Sequence, residues 1–320
     1  MSTHSVSVVQ LGEILPHPNA DKLEMTKVGE YTCLIPRGTY KPGDLAVYIE
    51  PDYVVPDTEQ FAFLGSPRAH RIGAKKLRGV WSEGLLVSAP PGSKPGDNVM
   101  EQLGIARWEP PEPGNPSWFG VKGPSIGQLE SVPDFIKAIP KYDLENLKKY
   151  IHLLQPGEWV RVTEKLHGTN ARYVYHDGRM FCGSRSQWRK PEPANVYWEA
   201  LKQNSDVERW CEDHPNEVLL GEIFGAVQDL KYGAAAGEFR FACFDRLSAG
   251  QWLPPPDGVP SVPVIGTLEY DFTQLKEWAE HDSVFGGIRE GLVIQPLVER
   301  MDPEIGRGTL KLVSNRYLSR

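Results

Sequence analysis

With 320 residues, a net charge of −7 and a 40% hydrophobic share, the chain is long enough for two ordinary domains and apolar enough to bury a core. The charge argues against indiscriminate coating of nucleic acid, and no apolar run approaches the roughly 20 residues that span a membrane. Cys33, Cys182, Cys211 and Cys243 form no Cys-x-x-Cys pair, which disfavours structural zinc and reads as free thiols of a reducing compartment. Met1–Gln10 lacks the basic-then-apolar pattern of a signal peptide, so a cytoplasmic location is expected.

Residues 1–105 read as short strands between Gly and Pro turns. Tyr31–Ile35, Leu45–Ile49 and Gly84–Ser88 are examples, with turns at Lys41-Pro42-Gly43-Asp44 and Pro90-Pro91-Gly92. That spacing suggests a small barrel. Arg68, His70, Arg71, Lys75, Lys76 and Arg78 form a basic stretch without an acid, which charge alone leaves open between a solvated loop and a nucleic-acid contact. Residues 106–130 are rich in Pro and Gly and read as an interdomain linker. In residues 131–320, Asp143–Ile151 and Asn195–Glu212 have helical spacing. Glu158–Leu166, Ala171–Tyr175, Met180–Gly183, Glu217–Phe224, Phe239–Phe244, Glu290–Gln295 and Thr309–Val313 read as strands, with a hairpin turn at His176-Asp177-Gly178-Arg179. Strands without regular helical crossovers predict antiparallel sheets with flanking helices, an α+β domain.

The common catalytic signatures are missing: no Gly-x-x-x-x-Gly-Lys-Ser/Thr, no Gly-x-Ser-x-Gly, no His-Glu-x-x-His. Lys165-Leu166-His167-Gly168-Thr169-Asn170 lies between two predicted strands. Trp159, Arg161, Thr163 and Lys165 share one face of the first, so Lys165 projects from a strand end. Alone, such a lysine is an ordinary surface residue. Five features follow it in order: Ser184-Arg185; Glu222 within Leu220-Gly221-Glu222-Ile223-Phe224-Gly225; Phe241 and Phe244-Asp245; Glu290-Gly291-Leu292-Val293-Ile294; and Lys311 within Leu310-Lys311-Leu312-Val313.

On these residues, over roughly 140–318, the chain resembles the covalent nucleotidyltransferases, which comprise polynucleotide ligases and RNA capping enzymes. His167 stands where DNA ligases and capping enzymes usually carry Asp, a form similar to the ATP-dependent RNA ligases. The resemblance implies that Lys165 attacks the α-phosphorus of ATP and holds AMP as a phosphoramidate. Burial and the nearby cation Lys311 are expected to lower its pKa, and Lys311 to neutralise the α-phosphate. Glu222 and Glu290 would orient Mg²⁺ or Mn²⁺ and the ribose hydroxyls. Phe241 would stack on adenine, Asn170 and Arg185 would meet phosphate, and Arg172 ribose or phosphate; Glu164 and Leu166 complete the expected nucleotide site. Three steps are implied: adenylation of the lysine, transfer of AMP to an RNA 5′-phosphate, and attack by a 3′-hydroxyl. The family's last motif often carries two lysines; here only Lys311 is present.

His17-Pro18-Asn19-Ala20-Asp21-Lys22-Leu23-Glu24 and Arg78-Gly79-Val80-Trp81-Ser82-Glu83-Gly84-Leu85-Leu86 resemble the OB-fold tRNA-binding domain of some aminoacyl-tRNA synthetases. An OB-like β-barrel followed by a nucleotidyltransferase domain looks like the RNA ligases with an N-terminal OB domain, and nine residues follow Lys311. The barrel would grip RNA near a nick through Arg68, Arg71, Lys75, Lys76 and Arg78. Deleting residues 1–125 should then spare adenylation but weaken sealing. A monomer is expected. The alternatives are a DNA ligase, a capping guanylyltransferase, and a non-catalytic RNA-binding protein with a decayed core.

Overall fold

The computed structural model describes residues 5–65, 70–108, 127–193 and 195–320. Arg68 and most of the Pro/Gly-rich segment lie outside the described residues. In the N-terminal domain Leu45–Ile49 pairs antiparallel with Ser7–Gln10 on one side and Leu85–Ser88 on the other. Ile14–Pro16, Leu23–Val28 and Tyr31–Pro36 form a second antiparallel sheet. Alternation puts Tyr31, Cys33 and Ile35 inward. Val8, Val47, Ile49, Phe61 and Val87 fill the centre. The two sequence motifs of this domain meet: His17 Nε2 lies 3.1 Å from the Leu77 carbonyl, and Asn19 Nδ2 donates to that of Arg78 at 3.0 Å. Ala106–Arg107 pairs with Tyr53–Val54, and the Trp108 amide donates to Asp52 O at 2.8 Å, so the barrel runs on through Trp108.

The C-terminal domain holds two sheets. One is ordered Glu145–Asn146, Leu310–Val313, Gly291–Pro296, Trp159–Lys165, Val264–Glu269, antiparallel except for its first pair. The other is antiparallel, ordered Trp188–Arg189, Arg179–Gly183, Thr169–His176, Val218–Gly225, Phe239–Ser248, Gln251–Leu253. Helices Val196–Gln203 and Ser205–Asp213 bury Ala200, Leu201, Val207 and Cys211 against the second sheet's Tyr173, Leu219 and Phe241. Helix Phe272–Ala279 buries Leu275 and Ala279 on the first. The chain leaves the first sheet at Lys165 and enters the second at Thr169. A Cβ on Gly168 would sit 2.1 Å from the Ile223 carbonyl oxygen, so this crossing requires glycine.

The predicted hairpin turn is present, with Asp177 at φ 48 and Gly178 at φ 78. Two predicted helices differ. Over Asp143–Ile151 the chain forms strand Glu145–Asn146 and then turns, because Glu145 and Asn146 pair in parallel with Leu310 and Lys311; tertiary pairing overrides local helical spacing. The stretch Asn195–Glu212 is two helices, since Asn204 leaves helical geometry at φ −124 and its amide donates to Ala200 O at 2.7 Å and Phe239 O at 3.0 Å.

The two domains dock through a charged pair that the sequence did not reveal. Lys148, 7% exposed, ion-pairs with Glu83 of the barrel, 6% exposed, and the Tyr31 ring lies 5.3 Å from the Lys148 nitrogen. Among the described residues no helix is long and apolar enough to cross a membrane.

Candidate active site at the sheet junction

Sheet register brings the lysines together. Thr163 pairs with Val293, and Val293 with Lys311, so Lys311 shares the face of Thr163 and Lys165. Lys165 pairs with Gly291, which sets Glu290 beside it; in the other sheet Glu222 lies opposite Asn170. Lys165, Glu222 and Lys311 line both of two adjoining cavities. The first also takes Glu290, His167 and Tyr317, and its far wall is the barrel: Glu50, Asp52, Tyr53, Arg107 and Trp108. The second is lined mostly by the catalytic domain, with Asn170, Arg185, Glu164, Leu166, Tyr142, Phe244 and Val262.

Lys165 Nζ lies 2.5 Å from Glu290 Oε1. Burial alone would lower its pKa, but Glu290 and Glu222 outweigh burial and raise it. This corrects the expectation of a depressed nucleophile: Lys311 is the lysine lowered, to about 8, by burial and then by Arg107 and Lys165. The acids divide likewise. Burial lifts Glu222 to about 8, whereas at Glu290 burial is outweighed by Lys165 and His167, which hold it well below the usual carboxylate range. His167 Nε2 lies 2.7 Å from Asp229 Oδ1, and its Nδ1 lies 3.2 Å from the Tyr317 hydroxyl and 3.6 Å from Glu290 Oε2. Its burial is outweighed by Asp229 and Glu290, which raise it to about 9, so it stands here as a cation.

Phe241 lines neither cavity. It is 2% exposed, edge-on to Tyr173 at 5.1 Å, and presses on Gly221, where a Cβ would meet its ring at 2.3 Å. A register shift between Leu220 and Gly221 leaves Phe244 unpaired in the bulge, and Phe244 lines the cavity instead. Arg172 is also otherwise engaged. It donates to Ser184 O at 2.8 Å and Ile139 O at 3.3 Å and stacks on Trp188 at 4.4 Å. Arg185 pairs with Asp143 at the rim.

The basic stretch divides. Arg71 bonds Asp52 Oδ1 at 2.7 Å and stacks 3.4 Å over Trp108, beside the cleft. Lys75 and Lys76 are exposed on hairpin Ala74–Leu77/Val80–Glu83, with Arg78 at its turn.

Sequence reasoning missed Asp52, Arg107, Trp108, Tyr142 and Tyr317 in the cleft. Only long-range folding places the barrel residues there, and an isolated Trp or Tyr carries no local signal. The donor set suits a hard divalent cation. Glu222 and Glu290 converge on the cleft, and Glu290 Oε2 and Asn170 Oδ1 are buried oxygens without a hydrogen-bond partner. No cluster of three or more His, Cys, Asp or Glu that could cage a metal occurs among the described residues.

A family model described as RNA ligase matches residues 158–313, and one of an OB-fold domain matches residues 5–89. No curated protein matches the chain. Among solved structures it is similar to an RNA ligase of Naegleria gruberi. A lysine-to-alanine variant with ATP and Mn has 27% identity and a TM-score of 0.78, covering 98% of each chain. A lysine-to-methionine variant with AMP and Mn has 27% identity and a TM-score of 0.77, covering 98% of this chain and 99% of that one. The enzyme with PPi has 27% identity and a TM-score of 0.77, covering 99% and 98%. The likeness runs through both domains in the same order, and Lys165, Glu222, Glu290 and Lys311 all lie inside the matched segment: the chain carries the catalytic domain of the RNA ligase family, with an OB-fold domain before it.

Proposed function

We propose that this ligase uses ATP to join RNA 3′-hydroxyl and 5′-phosphate ends, at nicks in duplexes, with AMP carried on Lys165 between steps. The observation that carries the reading is one half-buried lysine at a sheet junction, held by Glu290 and flanked by Glu222 and Lys311 where two cavities meet. The Naegleria gruberi structures with ATP, AMP and Mn support it.

Attack needs a neutral amine, so the Lys165–Glu290 pair must open and its proton leave. A divalent cation held by Glu222 and Glu290 would draw those carboxylates off the lysine, lower its pKa and neutralise phosphate charge. Lys165 Nζ then forms a bond to the α-phosphorus as the bond to the β-phosphate bridging oxygen breaks and pyrophosphate departs. Lys311 lies on the same face to meet the α-phosphate oxygens. Phe244 and Tyr142 offer apolar faces for adenine. An RNA 5′-phosphate oxygen next displaces Lys165, and the 3′-hydroxyl finally displaces AMP. Four buried free thiols fit a reducing cytoplasm, and we take the working form to be a monomer.

The test follows label from α-labelled ATP with 5′-phosphorylated nicked duplex RNA beside matching single strands. Protein-bound AMP should move to the RNA 5′ end and leave as the nick closes. Equal sealing of loose strands would overturn the nick assignment, and label that never leaves the protein would overturn RNA 5′ ends as acceptor.

Two further results are expected. Phe244→Ala should raise the KM for ATP about ten-fold at an intact fold, while Phe241→Ala should cost ~3–5 kcal/mol of stability by opening a core cavity. Steady-state ATP titrations and denaturant melts read these separately. The kcat/KM for ATP should climb with pH as the neutral form of Lys165 grows and level off above about 8, where Lys311 gives up its charge in the free enzyme, and Lys311→Arg should let the climb continue.

A further inference from the structure

The turn Asn315–Leu318 is fastened on three sides. Ser314 Oγ donates to Arg289 O at 2.8 Å and accepts from the Tyr317 amide at 3.1 Å. The amides of Asn315 and Arg316 donate to the Glu280 carboxylate at 2.6 and 3.2 Å. From the far side comes the barrel, where a Cβ on Gly73 would sit 2.3 Å from the Leu318 carbonyl oxygen. The backbone of one domain thus rests on the last residue of a turn in the other, with no room for a side chain between them.

Tyr317 sits inside that clamp, 8% exposed, with its ring 5.2 Å from the His167 ring and its hydroxyl 3.2 Å from His167 Nδ1. The same nitrogen lies 3.6 Å from Glu290 Oε2, and the other oxygen of Glu290 holds Lys165 at 2.5 Å. Contacts therefore run without a gap from Gly73 through Leu318, Tyr317, His167 and Glu290 to the lysine. We propose that Tyr317 is a positioning residue for lysine adenylation and that barrel docking reaches the nucleophile through it. Its hydroxyl and ring fix the His167 plane, and His167 fixes the rotamer of Glu290, whose oxygens decide where Lys165 Nζ points. The inference rests on Lys165 being the residue that takes AMP. A misplacement of about 1 Å at a reacting group is enough to cost on the order of a hundred-fold in rate.

The experiment is single-turnover labelling with α-labelled ATP over a range of ATP concentrations, on full-length wild type, Tyr317→Phe, Gly73→Ala and the double variant, each with a melting curve. Tyr317→Phe removes one oxygen and keeps the packing. Its labelling rate at saturating ATP should fall on the order of ten-fold or more, with half-saturating ATP within about two-fold of wild type and an unchanged melt. Gly73→Ala should lower the same rate in wild type yet add little in the Tyr317→Phe background, the signature of two residues on one route. A wild-type rate in Tyr317→Phe, or a loss seen only as weaker ATP binding, would overturn the positioning role. Independent, multiplying losses would overturn its link to the barrel. A wild type that takes no label would instead remove the ATP reading itself, and this inference with it.

Discussion

Lys165→Ala leaves a folded protein that takes up no label from α-labelled ATP. The loss should reach roughly 10⁴-fold or more, the scale on which removing a covalent nucleophile acts. The fold should survive because the lost side chain is itself 24% exposed and Glu290 keeps His167 beside it. Lys165→Arg sharpens the result. Arginine retains the charge and the ion pair with Glu290 but cannot become a neutral nucleophile, so it too should stay unlabelled. Label appearing on Lys165→Ala at a rate near wild type would move the nucleophile elsewhere and dismantle the mechanism.

The second large effect is on stability. Lys148→Met should cost about 3–5 kcal/mol, because it leaves the Glu83 carboxylate buried with an unmatched charge. The Thr32 amide, 3.2 Å from Glu83 Oε2, still serves one oxygen, which keeps the loss from being larger. Pairing Lys148→Met with Glu83→Gln removes the charge and should restore more than half of the loss. Denaturant unfolding of the three variants measures this; a single-variant loss of about 0.5 kcal/mol or less would make the pair incidental. The same contact changes the outlook for domain deletion. Removing residues 1–125 exposes Lys148 and strips Asp52, Arg107 and Trp108 from the cleft, so adenylation itself should weaken, contrary to the expectation from sequence.

What the sequence revealed and what it hid divide along a physical line. Strand alternation and tight turns are local, so Leu45–Ile49 and the turn at Asp177-Gly178 could be read directly. Lys165, Glu222 and Lys311 each sit in a short pattern on a strand of its own and Glu290 just before one, so the four could be picked out locally, although their meeting depends on register. Phe241 was misplaced because it pairs with Ile223 and so faces the helices rather than the side of Glu222, whereas Phe244 shares the face of Ala242, the partner of Glu222; which face meets the cleft is set by cross-strand register. Asp143–Ile151 was misread because its partner strand lies more than 150 residues downstream, at Leu310–Val313. The direction of the Lys165 shift was missed because an ion pair with Glu290 depends on rotamers.

Glu83, Gly73 and the Asp52–Trp108 wall all belong to the barrel, yet each meets the catalytic domain or its cleft. The barrel is therefore not an interchangeable accessory. A chimera that grafts an RNA-binding barrel from elsewhere inherits an unmatched Lys148, a side chain pressed against Leu318 and a cleft open on one side, unless the acid, the glycine and the wall travel together as a set.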